Sequence, residues 1–250
     1  MIDEQIAVVS DIHGNSWALR EVLEDIHRRG IDDIVNLGDS IYGPLDPAGT
    51  ADMLLWLDKP AVSGNEDRLI IEPSRIDKSP TLRYVLENLA PDHIAWLKGL
   101  APTGVAYENF FLCHGTPERD DEYLLVKVAE AGVSLRGPRE LAEALSGVKQ
   151  PFILCGHDHV PRVANLPDGR LIVNPGSVGL PAYADYLPHL HMMEAGSPHA
   201  RYSVISKGKS GWRIENVAVP YDWEAAARAA AEHERPDWAE WLSTGRAGPS

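Results

Sequence analysis

Ile6-Ala7-Val8-Val9-Ser10-Asp11-Ile12-His13-Gly14-Asn15 begins as an apolar run of strand length and breaks abruptly into polar residues and glycine. Ile6–Ser10 reads as a buried strand. Asn15 can cap a following helix, in which Leu19, Val22, Leu23 and Ile26 recur at helical spacing until Gly30 ends it. Ile34–Leu37 is a second buried strand, and it delivers Gly38-Asp39. Strand, helix and strand make a βαβ unit, which requires a parallel pair and a right-handed crossover. Asp11, His13 and Asp39 therefore gather at the carboxyl ends of parallel strands, where open α/β sheets place their ligands.

Outward from this unit, Ala48–Leu57, Thr81–Leu89 and Pro91–Leu100 read as helices, as do Asp121–Ala131 and Pro138–Leu145. Pro60–Ser63, Asn109–Cys113 and Phe152–Cys155 read as short strands, each ending at Gly or His. Val163–Leu166 and Arg170–Val173 flank Pro167-Asp168-Gly169, a hairpin signal. Arg201–Ser206 and Gly211–Val219 flank Lys207-Gly208-Lys209-Ser210 and form a second hairpin, followed by an Ala-rich helix at Asp222–Glu234 that Pro236 interrupts. Pro181–Ser203 reads as a surface loop. The first half is βαβ-like and the second richer in hairpins. The expected class is α/β (α+β): two mixed sheets face to face with helices outside, in one domain over residues 1–250 that includes the C-terminal hairpin and helix at about 201–242.

Bulk composition narrows the function. The chain has 250 residues, 44% of them hydrophobic and 24% charged, an ordinary globular balance. Its 23 basic and 37 acidic residues give a net charge of −14, which argues against general nucleic-acid binding. No apolar stretch approaches the roughly 20 residues of a membrane span, and an apolar strand so near the N-terminus leaves no room for a signal peptide. Cys113 and Cys155 end apolar runs and read as buried small hydrophobes. A cytoplasmic setting is expected.

Five motifs carry the chemistry: Asp11-Ile12-His13, Gly38-Asp39, Gly64-Asn65, His114-Gly115 and Gly156-His157-Asp158-His159. Singly, each has an ordinary reading as a turn, a strand exit or a buried histidine. Asp, His and Asn without Cys favour hard-to-borderline divalent ions. The candidates are too many for one tetrahedral ion and suit two ions sharing a ligand, the geometry of two-metal phosphate-ester hydrolysis. In this order the motifs resemble the calcineurin-like metallophosphoesterase superfamily, over Asp11 to Pro181. Gly38–Pro44 and Asn174–Gly179 resemble its small bacterial and archaeal branch of predicted phosphodiesterases.

That resemblance implies a four-layer αββα sandwich and two divalent ions (Mn, Fe, Ni, Co or Zn). Asp11, His13, Asp39 and His159 would hold one, and Asp39, Asn65, His114 and His157 the other. Asp39, Asn65 and His114 would carry the catalysis, a metal-activated hydroxide attacking a small phosphate ester. An extended backbone would point Asp11 and His13 the same way, and likewise His157 and His159; Asp158 would then point away and be solvated or support the ligands. Glu66, followed by Asp67, stands where many members carry an acidic histidine, so substrates with poor leaving groups should turn over slowly. His189 or His191 could serve as a replacement acid if Pro181–Ser203 acted as a lid. Arg20 and Arg162 are candidates to meet phosphate that read better as surface charges. The tryptophans read as helix packing. The competing readings are a phosphomonoesterase or protein phosphatase, and a non-catalytic scaffold.

Overall fold

The computed structural model describes residues 4–72, 79–209 and 211–248. Four strands, β1 (Glu4–Val9), β2 (Asp33–Asn36), β12 (Ala200–Gly208) and β13 (Gly211–Val219), make one mixed sheet in the order β13-β12-β1-β2. β1 pairs parallel with β2 and antiparallel with β12. The parallel pair is the one the βαβ unit required, and α1 (Ser16–Arg28) is its crossover helix, with Asn15 accepting the Ala18 N–H as its cap. A second mixed sheet contains β3 (Thr103–Ala106), β4 (Phe110–Cys113), β7 (Phe152–Leu154), β8 (Arg162–Asn165) and β9 (Leu171–Asn174), in the order β3-β4-β7-β9-β8.

Strand alternation builds the layers. Ile6, Val8, Val35, Leu112, Phe152, Leu154, Val173 and Ile205 form a core between the two sheets. Their neighbours Ala7, Val9, Ile34 and Val204 face the opposite way, into a core shared with α1, α2 (Pro47–Leu57), α7 (Trp223–Glu232) and α8 (Pro236–Thr244). Ile153 and Ile172 face outward from the second sheet, onto Leu124, Leu125 and α6 (Pro138–Ala144). Three cores separate four layers, the αββα sandwich that the resemblance implied.

Three short elements differ from expectation. Asp121–Ala131 is not a helix: β5 (Val126–Ala129) and β6 (Gly132–Leu135) form an antiparallel hairpin there. Gly132 turns at φ +110°, a conformation that favours glycine, and Val126, Val128 and Val133 suit strands, which together override the local helix propensity of Leu, Glu, Lys and Ala. Pro181–Ser203 holds β10 (Ala182–Asp185) and β11 (His191–Glu194) rather than a plain loop. α3 (Asn65–Ile71) follows Gly64 directly. The helical pair expected at 81–100 is α4 (Pro80–Asn88) and α5 (Pro91–Gly99). Ser210, in the expected second turn, lies outside the described residues. Among the described residues, no helix is long and apolar enough to cross a membrane.

Candidate metal centre

Every motif leaves the carboxyl end of a strand or bridge, and the loops are stitched together before any side chain is considered. Asp11 N–H donates to the Gly38 carbonyl (3.0 Å), His13 N–H to that of Asp39 (3.0 Å), and Gly156 N–H to that of His114 (2.8 Å). Val178 and Gly179 N–H donate to the carbonyls of Ser10 and Asp11, both at 3.0 Å. A Cβ on Gly179 would overlap the Ile12 carbonyl, so glycine lets this loop lie against the first motif.

The expected extended backbone is not what aims the ligands. Asp11, His13, Asp39, His157 and His159 have φ between +50° and +69°, in the left-handed region. Asp and His enter this region more readily than most residues, at a cost on the order of 1 kcal/mol each. A run of them means that the surrounding hydrogen bonds hold the backbone in place.

Groups of the candidate side chains converge. Asp11, His13 and His159 offer ligating atoms within 4.8 Å of one another, as do Asp39, His114 and His157. A third group of His13, Asp39 and Glu66 links the first two, so Asp39 stands between them. Three of the histidines are fixed in one tautomer. Nδ1 of His13 donates to the Tyr42 carbonyl (3.1 Å), that of His114 to Leu37 (2.8 Å), and that of His159 to Leu180 (2.7 Å). Each then turns Nε2 inward, the usual orienting device for a metal-binding imidazole.

These inward atoms crowd together. His13 Nε2 and His159 Nε2 stand 3.1 Å apart. Asp11 Oδ1 lies 3.2 Å from His159 Nε2, and Asp39 Oδ2 3.1 Å from His114 Nε2. Yet Asp11 Oδ1, His114 Nε2, Asn65 Oδ1 and Glu66 Oε2 are buried without a hydrogen-bond partner. Ligands about 2.1 Å from one ion at tetrahedral to right angles stand about 3.0–3.4 Å apart. The donor set fits shared divalent cations.

Charge supports the same fit. Burial alone would lower the His114 pKa, but Asp39 and Asp11 outweigh it and push the imidazole up to about 10. Burial would raise Asp39, but His114 and His13 hold it at about 2. His157 is lowered to about 4 by burial and by neighbouring His114. The two carboxylates create a field that favours positive charge.

The remaining predicted residues fall into distinct roles. Glu66 N–H donates to Asp39 Oδ1 (2.8 Å), and its side chain, 26% exposed, lines the cavity over the metal ligands. Glu66 Oε2 lies 3.1 Å from His13 Nδ1 but out of line with the N–H, which points to Tyr42, so this oxygen remains unpaired. Burial raises the Glu66 pKa, against the lowering influence of His13. Asp67 is fully buried and accepts from Ser40 N–H (2.9 Å) and Gly64 N–H (3.1 Å), tying the second motif to the third. Asp158 is buried rather than solvated, held by Arg162 (2.6 Å) and by the Asn174 amide (2.8 Å). Arg162 is thereby engaged, Arg20 is exposed, and neither lines the cavity. Nor do His189 and His191: His189 is exposed, while His191 is buried with Nε2 2.9 Å from the Tyr123 hydroxyl.

The sequence reading missed the cavity wall. Tyr42, Tyr123, Tyr183, Asp185, Arg235, Trp238 and Trp241 line it beside the ligands. The spacing of Trp238 and Trp241 signals one helix face, but nothing local says what that face looks onto.

With the geometry described, comparison with known proteins places the chain. An uncharacterised protein of Methanocaldococcus jannaschii, MJ0912, is 25% identical over 98% of this chain and 100% of its own length. The crystal structure of a metallophosphoesterase from Sphaerobacter thermophilus superposes with a TM-score of 0.74 at 24% identity, over 97% of this chain and 99% of that one. A hypothetical protein from Pyrococcus horikoshii, PH1004, gives 0.73 at 19% identity, over 98% and 99%. The sequence model of the calcineurin-like phosphoesterase superfamily domain matches residues 5–194, which hold all five motifs, and the chain belongs to that superfamily.

Proposed function

We propose that this protein is a metal-dependent phosphodiesterase acting on small phosphate esters. The observation that carries the reading is the convergence of unpartnered, buried donors from both sheets on one spot. Asp11, His13, Asp39 and His159 would hold one divalent cation, and Asp39, Asn65, His114 and His157 a second, with Mn, Fe, Ni, Co or Zn all acceptable to these donors. Two such cations supply a lowered water pKa and neutralisation of phosphoryl charge.

The chain's own residues orient this chemistry. The carbonyls of Tyr42, Leu37 and Leu180 accept from Nδ1 and so keep the Nε2 atoms aimed at the cation positions. The Glu66 amide and the Asp67 brace fix Asp39. Preference for diesters follows from charge. Asp185 and Glu66 line the cavity, and its single Lys or Arg among the described residues, Arg235, is bound to Asp237 and Thr81. A monoester dianion would meet more repulsion here than a diester monoanion. A cytoplasmic setting belongs to the reading, supported by the free thiols of Cys113 and Cys155. A net charge of −14 supports small esters over nucleic acid as substrates.

The test is hydrolysis of bis-p-nitrophenyl phosphate beside p-nitrophenyl phosphate, by stripped protein given Mn, Ni, Co, Zn or Mg in turn. Metal-dependent cleavage with the diester favoured is expected. Faster monoester cleavage would move the assignment to a phosphomonoesterase. Two ions bound with no cleavage of either ester would leave a binding protein on this fold.

A further inference from the structure

The cavity beside the ligands has a volume of about 300 Å³, the lower end for small-molecule sites. Its wall is unusually aromatic. Trp238 meets the His13 ring edge-on at 5.7 Å, and Trp241 lies 6.5 Å from Trp238 at 37°. At the other cluster, the Tyr123 ring lies 4.6 Å from His157 at 31°. Both tryptophans come from α8, beyond residue 194, where the superfamily match ends.

Arg235 does not compete with this wall but positions it. Its guanidinium sits 5.3 Å over the Trp238 ring, with Nε and Nη2 on the Asp237 carboxylate (2.9 and 2.7 Å) and Nη1 on the Thr81 hydroxyl (2.6 Å). Trp238 is thereby buried and fixed, while Trp241 is half-buried and lines the cavity. Among the described residues the wall's one cation, Arg235, is engaged, and beside the Glu66 and Asp185 carboxylates it offers aromatic rings to the organic part of an ester. Ring faces bind planar groups by stacking, tolerant of the detailed hydrogen-bonding pattern.

Resting on the phosphoesterase reading of the same site, we propose that Trp241, backed by Trp238, is a stacking platform for a planar aromatic group carried by the phosphate ester. A nucleobase and a simple aryl ring share that chemistry, and the test separates them.

The experiment follows intrinsic tryptophan fluorescence of the Zn-loaded full chain as adenosine 5′-monophosphate, phenyl phosphate and ribose 5-phosphate are titrated. Quenching by the first two and not by ribose 5-phosphate is expected. Tighter binding of the adenosine ester points to a nucleobase, and equal binding to any aryl group. Trp241→Ala should weaken adenosine-ester binding about tenfold, the scale of one lost base-stacking contact, while Trp241→Phe retains most of it. Ribose 5-phosphate binding as tightly as the adenosine ester in the unmodified protein overturns the proposal, even if the alanine variant does not fold. So does a folded Trp241→Ala with unchanged affinity. Stacking without hydrolysis of any ester would instead leave the platform standing and remove the catalytic reading.

Discussion

At Gly64 the site leaves no space for even one methyl group: a Cβ would overlap Asp39 Oδ1 and crowd the Asp39 amide. Gly64 has φ −94°, which any residue adopts, so the requirement for glycine is steric and not conformational. Gly64→Ala should push the Asp39 carboxylate out of register and weaken metal affinity about 10- to 100-fold, the scale seen when a ligand's support is removed. Isothermal titration with Zn or Mn, beside a circular dichroism spectrum, would check it; native affinity in a folded variant would refute the contact. The candidate ligands stood out because polar residues at the ends of apolar strands have few structural reasons to recur in one order. Their aim was not legible. The two-residue spacing of Asp11 and His13 suggested an extended backbone, whereas the structure bends each through the left-handed region. That bend is imposed by hydrogen bonds to loops far along the chain, such as His13 N–H to Asp39.

Between elements, Asn15 does more than cap α1. Its amide also donates to the Gly179 carbonyl (2.9 Å) and the Tyr221 hydroxyl (3.3 Å), joining the helix start to the loop after β9 and to the entry of α7. Asn15→Ala removes a cap and strands buried polar groups, at a combined cost of about 2–3 kcal/mol. For a chain of this size that is a Tm lower by roughly 4–12 °C, readable by differential scanning calorimetry; a shift within one degree would show that the amide contributes little. The cap was visible in the sequence, but its two distant partners were not. Element type was legible wherever periodicity was strong, as in α1 and β1, and failed at β5–β6, where a stretch of good helix formers is folded back by Gly132 and paired strand to strand. Trp238 and Trp241 were read as helix packing, and that they also line the cavity depends on how α8 packs beside β10, a tertiary fact.

Across the whole molecule, the site is a junction. It draws candidate ligands from the ends of both sheets, so a cation bound there would tie the two halves of the sandwich together. Ligands that bind only the folded state stabilise it by about 2.7 kcal/mol at a hundredfold excess over Kd. Chelation with excess EDTA should therefore lower Tm by roughly 5–10 °C, reversibly on adding Mn or Zn; an unchanged Tm would mean that the donors are not bridged by metal in the native protein. The layer order also bears on synthesis. β1 acquires its antiparallel neighbour only through pairs such as Ile6 with Ile205 and Val8 with Ser203. At ribosomal rates of 5–20 residues per second, roughly 10–40 s separate the making of those partners. Until β12 emerges, one edge of β1 lies open, and the loop bearing Asp11 and His13 hangs from a half-built sheet. A nascent chain thus carries an open strand edge for most of its translation.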